Sequence, residues 1–340
     1  MSDDLLHGGA LDRVRRRFPH APQPWLDLST GINPWAWPYP EALPSISEDA
    51  IHHLPTAAAY DACRAAMARA FGAPEESLVL APGTELLIRL LPTVLQPRCV
   101  AVLAPSYGDH RATWSAAGCE VLATDDPLTL AEEAEVDMVV VCAPNNPDGR
   151  RFDLDALRNA HAALAERGGW LIVDEAYADL VPGQSLAPDG GAEGLVVLRS
   201  TGKFYGVAGL RLGAALAPPA LRAALAARLG VWSVSGPALE LGTRLYQDFA
   251  WQNATRLRLE AARRRVDGIF EMVGLAAAGG TDLFRFLAVD DASALFEALA
   301  SRGVYVRRFA WSRDHLRMGL PADPAGEDRL AEALAACRGG

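Results

Sequence analysis

At 340 residues, with 50% of its side chains apolar and 22% charged, the chain can bury a large core and favours one large domain plus a smaller one. A formal net charge of −10 argues against a nucleic-acid-binding surface and requires that any anionic ligand be met by local arginines. Cys63, Cys99, Cys119, Cys142 and Cys337 form no C-x-x-C pair, which argues against a disulfide frame or a zinc site. No run approaches the ~20 apolar residues of a membrane helix. The opening MSDDLLHGG lacks the basic-then-apolar pattern of a secretion signal. A soluble, cytoplasmic protein without metal, membrane or nucleic-acid partners is expected.

Residues 1–45 are rich in Pro, Gly and Trp, have little helical period, and read as an irregular N-terminal arm. His7-Gly8-Gly9 opens it, and Asp27-Leu28-Ser29-Thr30-Gly31-Ile32-Asn33-Pro34 closes on a turn signal. The spacing predicts a helix over 56–71, stopped at Gly72. A strand over 77–80 then leads through Ala81-Pro82-Gly83 into a helix beginning Thr84-Glu85. Backbone N–H groups at such a helix start, with the positive end of its dipole, make an anion site. A short strand at 100–103 delivers Pro105-Ser106-Tyr107. A buried-strand pattern at 137–142 leads into the turn residues Asn145-Asn146-Pro147-Asp148-Gly149, and a helix follows over 153–167.

The densest constellation comes next. The apolar run 170–173 ends in Asp174-Glu175, with Tyr177 close behind. The run 195–198 delivers Arg199-Ser200-Thr201-Gly202-Lys203, and a glycine-rich tail reaches Arg211. Parallel-sheet α/β proteins place their sites where strands hand polar residues to loops in this way. The glycines fit neither a P-loop nor G-x-G-x-x-G. After Pro218-Pro219 the pattern predicts helices over 220–229 and 238–273, then strand 283–289, helix 292–302, strands 304–309 and 315–320, and helix 327–337. The fold class is α/β, with boundaries at 1–45 for the arm, 46–218 for a large domain with a mostly parallel sheet flanked by helices, and 219–340 for a small α+β C-terminal domain.

Two of these elements carry a resemblance. Asp174-x-Ala176-Tyr177 and Ser200-x-x-Lys203-x-x-Gly206-x-x-Gly209-x-Arg211-x-Gly213 are similar to signature elements of the fold-type I pyridoxal-phosphate (PLP) enzymes, the class I/II aminotransferase superfamily. The likeness extends over most of the chain. It implies PLP as the cofactor, with Lys203 as the lysine that carries it, Asp174 paired with the ring nitrogen, and Tyr177 on the ring oxygen. These three are the implied catalytic residues. The cofactor phosphate is assigned to Gly83, Thr84, Glu85, Ser200 and Arg211, and Tyr107 is assigned to stack on the ring. Asn146, in a run resembling N-P-x-N-P-T-G with Asp148 in place of Thr, is assigned to the ring oxygen. His110 reads as a residue at the surface or behind the site.

There are two further departures. Gly202 stands where many relatives have a serine. Leu54, in His53-Leu54-Pro55, stands where many have a tyrosine that reaches the neighbouring subunit's cofactor.

On the C-terminal side, Arg317 matches the arginine that grips the substrate carboxylate as a bidentate fork. Arg307 matches a position that contacts a substrate phosphate, with Arg308 as the alternative. The H-G-G and D-L-S-x-x-I-N-P elements resemble those of a narrower family, the threonine-phosphate decarboxylases, which are close to histidinol-phosphate aminotransferases. This likeness adds His7, Gly31, Ile32 and Asn33 to the substrate-lining set. The implied activity is decarboxylation of O-phospho-L-threonine to (R)-1-amino-2-propanol O-phosphate and CO2 in cobalamin biosynthesis, by a homodimer. The alternatives are a histidinol-phosphate aminotransferase and a catalytically silent PLP-fold binding protein.

Overall fold

The computed structural model describes residues 8–338. They divide into two compact units. One comprises Ala36–Asn146 and Arg150–Trp251. The other comprises Pro147–Gly149 with the described parts of Met1–Trp35 and Gln252–Gly340.

The larger unit is built on a seven-stranded sheet. Its strand order is Leu78–Ala81, Gly213–Leu216, Leu195–Ser200, Trp170–Asp174, Met138–Cys142, Cys99–Leu103, Glu120–Thr124. Within it Gly213–Leu216 runs against both neighbours, and the other six strands point one way. The central strands are nearly unbroken Val, Ile and Leu runs because both of their faces are buried. One face is covered by helices Thr84–Leu95, Gly108–Ala116 and Pro219–Leu229, which set Leu87, Ile88, Leu91, Trp114 and Leu221 against Val140, Ile172 and Val196. Each such side chain contributes roughly 1.5–3 kcal/mol by burial.

Two strands of this sheet escape the sequence pattern. Glu120–Thr124 is a half-exposed edge, and Gly213–Leu216 is short and rich in Gly and Ala. Helix Gly108–Ala116 was not expected either.

Residues 36–45 and 219–251 fold with this larger unit rather than with the arm and the small domain. The reason lies in packing: helix Gly236–Gln247 lies on helix Ala57–Phe71, and the Tyr246 ring meets Phe71 edge-on at 5.2 Å. The single helix expected over 238–273 is two helices, Gly236–Gln247 and Phe249–Met272. Asp248 separates them. Its Oδ1 accepts the Trp251 N–H at 3.0 Å, as a helix cap does, and its Oδ2 accepts from Trp37 Nε1 at 3.1 Å.

The smaller unit has a four-stranded antiparallel sheet in the order Arg307–Arg308, His315–Gly319, Phe284–Ala288, Ala277–Thr281. The strand expected over 304–309 is split. Val304–Tyr305 pairs in parallel with Leu26–Asp27, and Arg307–Arg308 joins the sheet. The arm is therefore not irregular. It contributes that strand and a helix, Leu11–Arg17, whose Val14 is fully buried. Helices Ala292–Ala300 and Pro324–Arg338 complete the unit. Among the described residues no helix is long and apolar enough to cross a membrane.

Candidate active site

The loops at the C-terminal ends of the large sheet's parallel strands enclose a cavity of about 250 Å³. Nine of the ten sequence-predicted cofactor residues line it: Thr84, Glu85, Tyr107, Asn146, Asp174, Tyr177, Ser200, Lys203 and Arg211. The tenth, Gly83, caps the helix that Thr84 begins. Cys142, Pro144, Ala176, Gly202 and Ala208 fill in the wall.

Asp174 ends its strand almost completely buried. Its Oδ1 accepts the Ala176 N–H at 3.0 Å, and its Oδ2 stands 2.9 Å from Nε2 of His110. His110 sits on helix Gly108–Ala116, is 2% exposed, and lies behind Asp174 and not at the surface. Burial opposes charge on its ring, but the Cys142 sulfur and the Asp174 carboxylate outweigh that penalty and push the imidazole up to about 10. It therefore presents a positive charge to Asp174 at neutral pH.

Lys203 lies in the turn after strand Leu195–Ser200, with Nζ 5.8 Å from the centroid of the buried Tyr177 ring. Its turn is tied down on both sides. Thr201 Oγ1 donates to the Leu212 carbonyl at 2.6 Å, and Gly202 N–H donates to Ser200 Oγ at 3.2 Å.

Tyr107 donates its phenol to Glu85 Oε2 at 3.0 Å, and Glu85 also pairs with Arg89 at 2.6 Å. Burial above all, then the Asp109 and Glu85 carboxylates, raises the Tyr107 hydroxyl well above its usual range, so it remains a donor. The two adjacent asparagines divide their work. Asn145 is fully buried and holds loops together, accepting from Ser106 Oγ at 2.8 Å and donating to the Pro105 carbonyl at 3.0 Å. Asn146 lines the cavity.

Gly83 and Arg211 meet by close approach at the start of helix Thr84–Leu95. Gly83 has φ +88, and a Cβ there would come within 2.6 Å of Arg211 Nη2. A side chain at 83 would thus displace the guanidinium from the start of the helix. Arg211 itself takes a left-handed conformation, φ 54, which a non-glycine residue adopts at some cost.

A buried charge network missed by the sequence reading lies at the same strand ends. Arg199 Nη1 donates to Glu175 Oε2 and Ser185 Oγ, both at 3.2 Å, and Nη2 donates to Asp179 Oδ1 at 2.6 Å. The guanidinium lies 4.1 Å over the Phe71 ring. Burial raises the Glu175 carboxyl even though Arg199 works against that shift. The signal was present: an arginine closing an otherwise apolar buried strand needs partners.

In the smaller unit, Arg317 is 6% exposed and its Nη2 donates to the Ser29 carbonyl at 2.9 Å. Arg307 is its cross-strand neighbour and shares its face of the sheet. Arg308 pairs with Leu316 and points the other way, over the Phe296 ring and with Nη1 3.1 Å from Ser293 Oγ. Asn33 is buried in its turn and accepts the Trp35 N–H at 2.9 Å; Gly31 is buried and Ile32 half-buried beside it. His7 lies outside the described residues.

The residues in the cavity fit PLP. A primary amine, a carboxylate backed by a cationic imidazole, two phenols on the walls, and a glycine cradle that seats an arginine at a helix N-terminus suit a phosphorylated pyridine aldehyde. Together with the strand order, they define a fold-type I PLP enzyme. The chain belongs to the family "Aminotransferase class I and II", whose model matches residues 24–334. It is 42% identical to a threonine-phosphate decarboxylase of Pseudomonas aeruginosa over 330 residues, 97% of each chain. It is 39% identical to a threonine-phosphate decarboxylase of a Sinorhizobium species, covering 98% of this chain and 99% of that one. The crystal structure of a histidinol-phosphate aminotransferase from Sinorhizobium meliloti with pyridoxal-5'-phosphate superposes with a TM-score of 0.83 at 20% identity, over 96% of this chain and 93% of that one.

Proposed function

We propose that this protein is a PLP-dependent lyase acting on O-phospho-L-threonine, giving CO2 and (R)-1-amino-2-propanol O-phosphate for cobalamin biosynthesis. The observation that carries this reading is the near-full-length likeness to two threonine-phosphate decarboxylases.

Bound PLP supplies a protonated pyridine ring that takes up the electron pair left on Cα when the carboxylate departs. The chain's own residues do the rest. Lys203 Nζ is the amine that holds the cofactor covalently. Once the substrate amine has taken its place, the freed Lys203 Nζ or a water would deliver a solvent-derived proton to Cα after the Cα–carboxylate bond breaks, so one C–C bond is exchanged for one C–H bond. Asp174, with His110 behind it, is the anionic partner of the ring nitrogen. Thr84, Ser200 and Arg211 take the cofactor phosphate, with Gly83 and Glu85 shaping that turn. Tyr177 and Asn146 are assigned to the ring oxygen, and Tyr107 to the ring face. Arg317 is assigned to the substrate carboxylate and Arg307 to its phosphate, with Gly31, Ile32 and Asn33 lining the substrate. The position of Arg308 on the opposite face of its sheet favours Arg307 for that role.

A homodimer in the cytoplasm belongs to this reading. Leu54, Val231 and Trp232 are 62%, 71% and 57% exposed, and Pro55, Val231 and Trp232 line one groove. Large exposed apolar side chains at a groove are suited to a second copy.

An aminotransferase would use the same cofactor residues, because the outcome depends on which bond to Cα stands perpendicular to the ring. A paired assay on one PLP-loaded preparation separates the two. CO2 from O-phospho-L-threonine without glutamate supports the lyase. Glutamate from histidinol phosphate plus 2-oxoglutarate without CO2 would falsify it. Lys203→Ala tests for a silent fold: it should abolish turnover and the borohydride-sensitive visible band together.

A further inference from the structure

Stretches far apart in the sequence meet at one peptide group, that of Ser29. Asp27 Oδ1 accepts both the Ser29 backbone N–H at 2.9 Å and its Oγ–H at 2.6 Å. With its proton committed to Asp27, Ser29 Oγ accepts the Gly9 N–H at 2.8 Å. The Ser29 carbonyl accepts from Arg317 Nη2 at 2.9 Å. Gly8 lies against that same oxygen, since a Cβ at position 8 would come within 2.4 Å of it. One carbonyl oxygen therefore both receives the guanidinium and restricts position 8 to glycine.

We infer that Ser29, locked by Asp27, is a positioning residue for Arg317, and that it ties the Gly8-Gly9 turn to that arginine. The inference rests on the reading of Arg317 as a substrate-anion arginine. A guanidinium offers five N–H groups in a rigid plane, and holding one nitrogen on a fixed carbonyl sets the plane in which the others are presented. An arginine already oriented loses less freedom when an oxyanion binds than one that must be ordered by its ligand. The Ser29 lock thus acts on substrate affinity. Cofactor binding and the bond-breaking step do not depend on it.

The test uses the full-length, PLP-loaded protein, with CO2 release from O-phospho-L-threonine and the visible absorbance of bound cofactor as readouts. Ser29→Ala and Asp27→Ala should each raise KM about tenfold with kcat held within about twofold, the scale of one lost charge-assisted hydrogen bond. Their cofactor absorbance should match wild type. Asp27→Asn retains the Oδ1 acceptor and should keep the wild-type KM. Asp27 is exposed, so its variants remain informative if Ser29→Ala does not fold. Wild-type KM in Asp27→Ala, or a joint loss of KM, kcat and cofactor absorbance, overturns the inference. So does an Asp27→Asn variant as impaired as Asp27→Ala. If wild type itself releases no CO2 from this substrate, the functional reading fails, and this inference fails with it.

Discussion

His110 Nε2 stands 2.9 Å from Asp174 Oδ2 with both side chains buried. The pair sets an imidazole, pushed up to about 10, behind the Asp174 carboxylate that lines the cavity. A group whose folded value is raised contributes stability that is fully present below its unfolded value, here 6.5, and lost as the pH rises through about 10. His110→Gln keeps a donor near Asp174 and removes the charge. The stability gap between wild type and this variant should be widest below pH 6.5 and close above pH 10. Denaturant melts across that range measure it. A gap that widens with pH would contradict the assignment.

The Arg199 network makes a different prediction, about stability. Arg199→Ala leaves Glu175 and Asp179 buried without their cation. Breaking a buried pair from one side costs about 3–5 kcal/mol. The apo protein should show this as a large fall in its urea midpoint. Because Glu175 and Arg199 flank Asp174 and Ser200 in sequence, weaker PLP binding should accompany it. Arg199→Lys should recover little, since one ammonium cannot reach both carboxylates as the fork does.

Gly202 is open to improvement. A Cβ there would meet nothing closer than 3.4 Å, which is ordinary contact. Gly202→Ser should therefore fold normally and add a hydroxyl immediately before the lysine. One added hydrogen bond of about 1 kcal/mol would tighten PLP binding roughly fivefold. Equilibrium titration of the apo variant with PLP checks this, and an unchanged or weaker Kd counts against Gly202 lying at the phosphate.

If two copies associate through the apolar groove, Trp232→Asp should shift the protein toward monomer. Trp232 is 57% exposed, so the substitution should leave the fold of the chain intact. Sedimentation velocity reports the mass and circular dichroism the fold. A variant with the wild-type sedimentation coefficient would remove this groove from the proposed interface.

The polar residues that the central strands hand to their loops were legible in the sequence, and the resemblance they carry supplied their expected roles. Asp174, Tyr177 and Lys203 follow apolar runs so closely that strand ends bring them to one cavity, whereas Arg211 lies well beyond Ser200 and reaches it through a left-handed turn against Gly83. Such adjacency is local, and local patterns of burial and turn residues are legible in one dimension.

Pairings between distant elements were not legible in the sequence and emerged with the fold. His110 sits three residues beyond Tyr107, one helical turn away, yet its partner Asp174 is 64 residues on. The choice between Arg307 and Arg308 depends on the register of two antiparallel strands, since a shift of one residue exchanges the faces. The arm's strand at Leu26–Asp27 is only two residues long and exists because Val304–Tyr305 is there to pair with it. Each of these was hidden for one reason: the energy of the contact belongs to a partner that the chain's local pattern does not name.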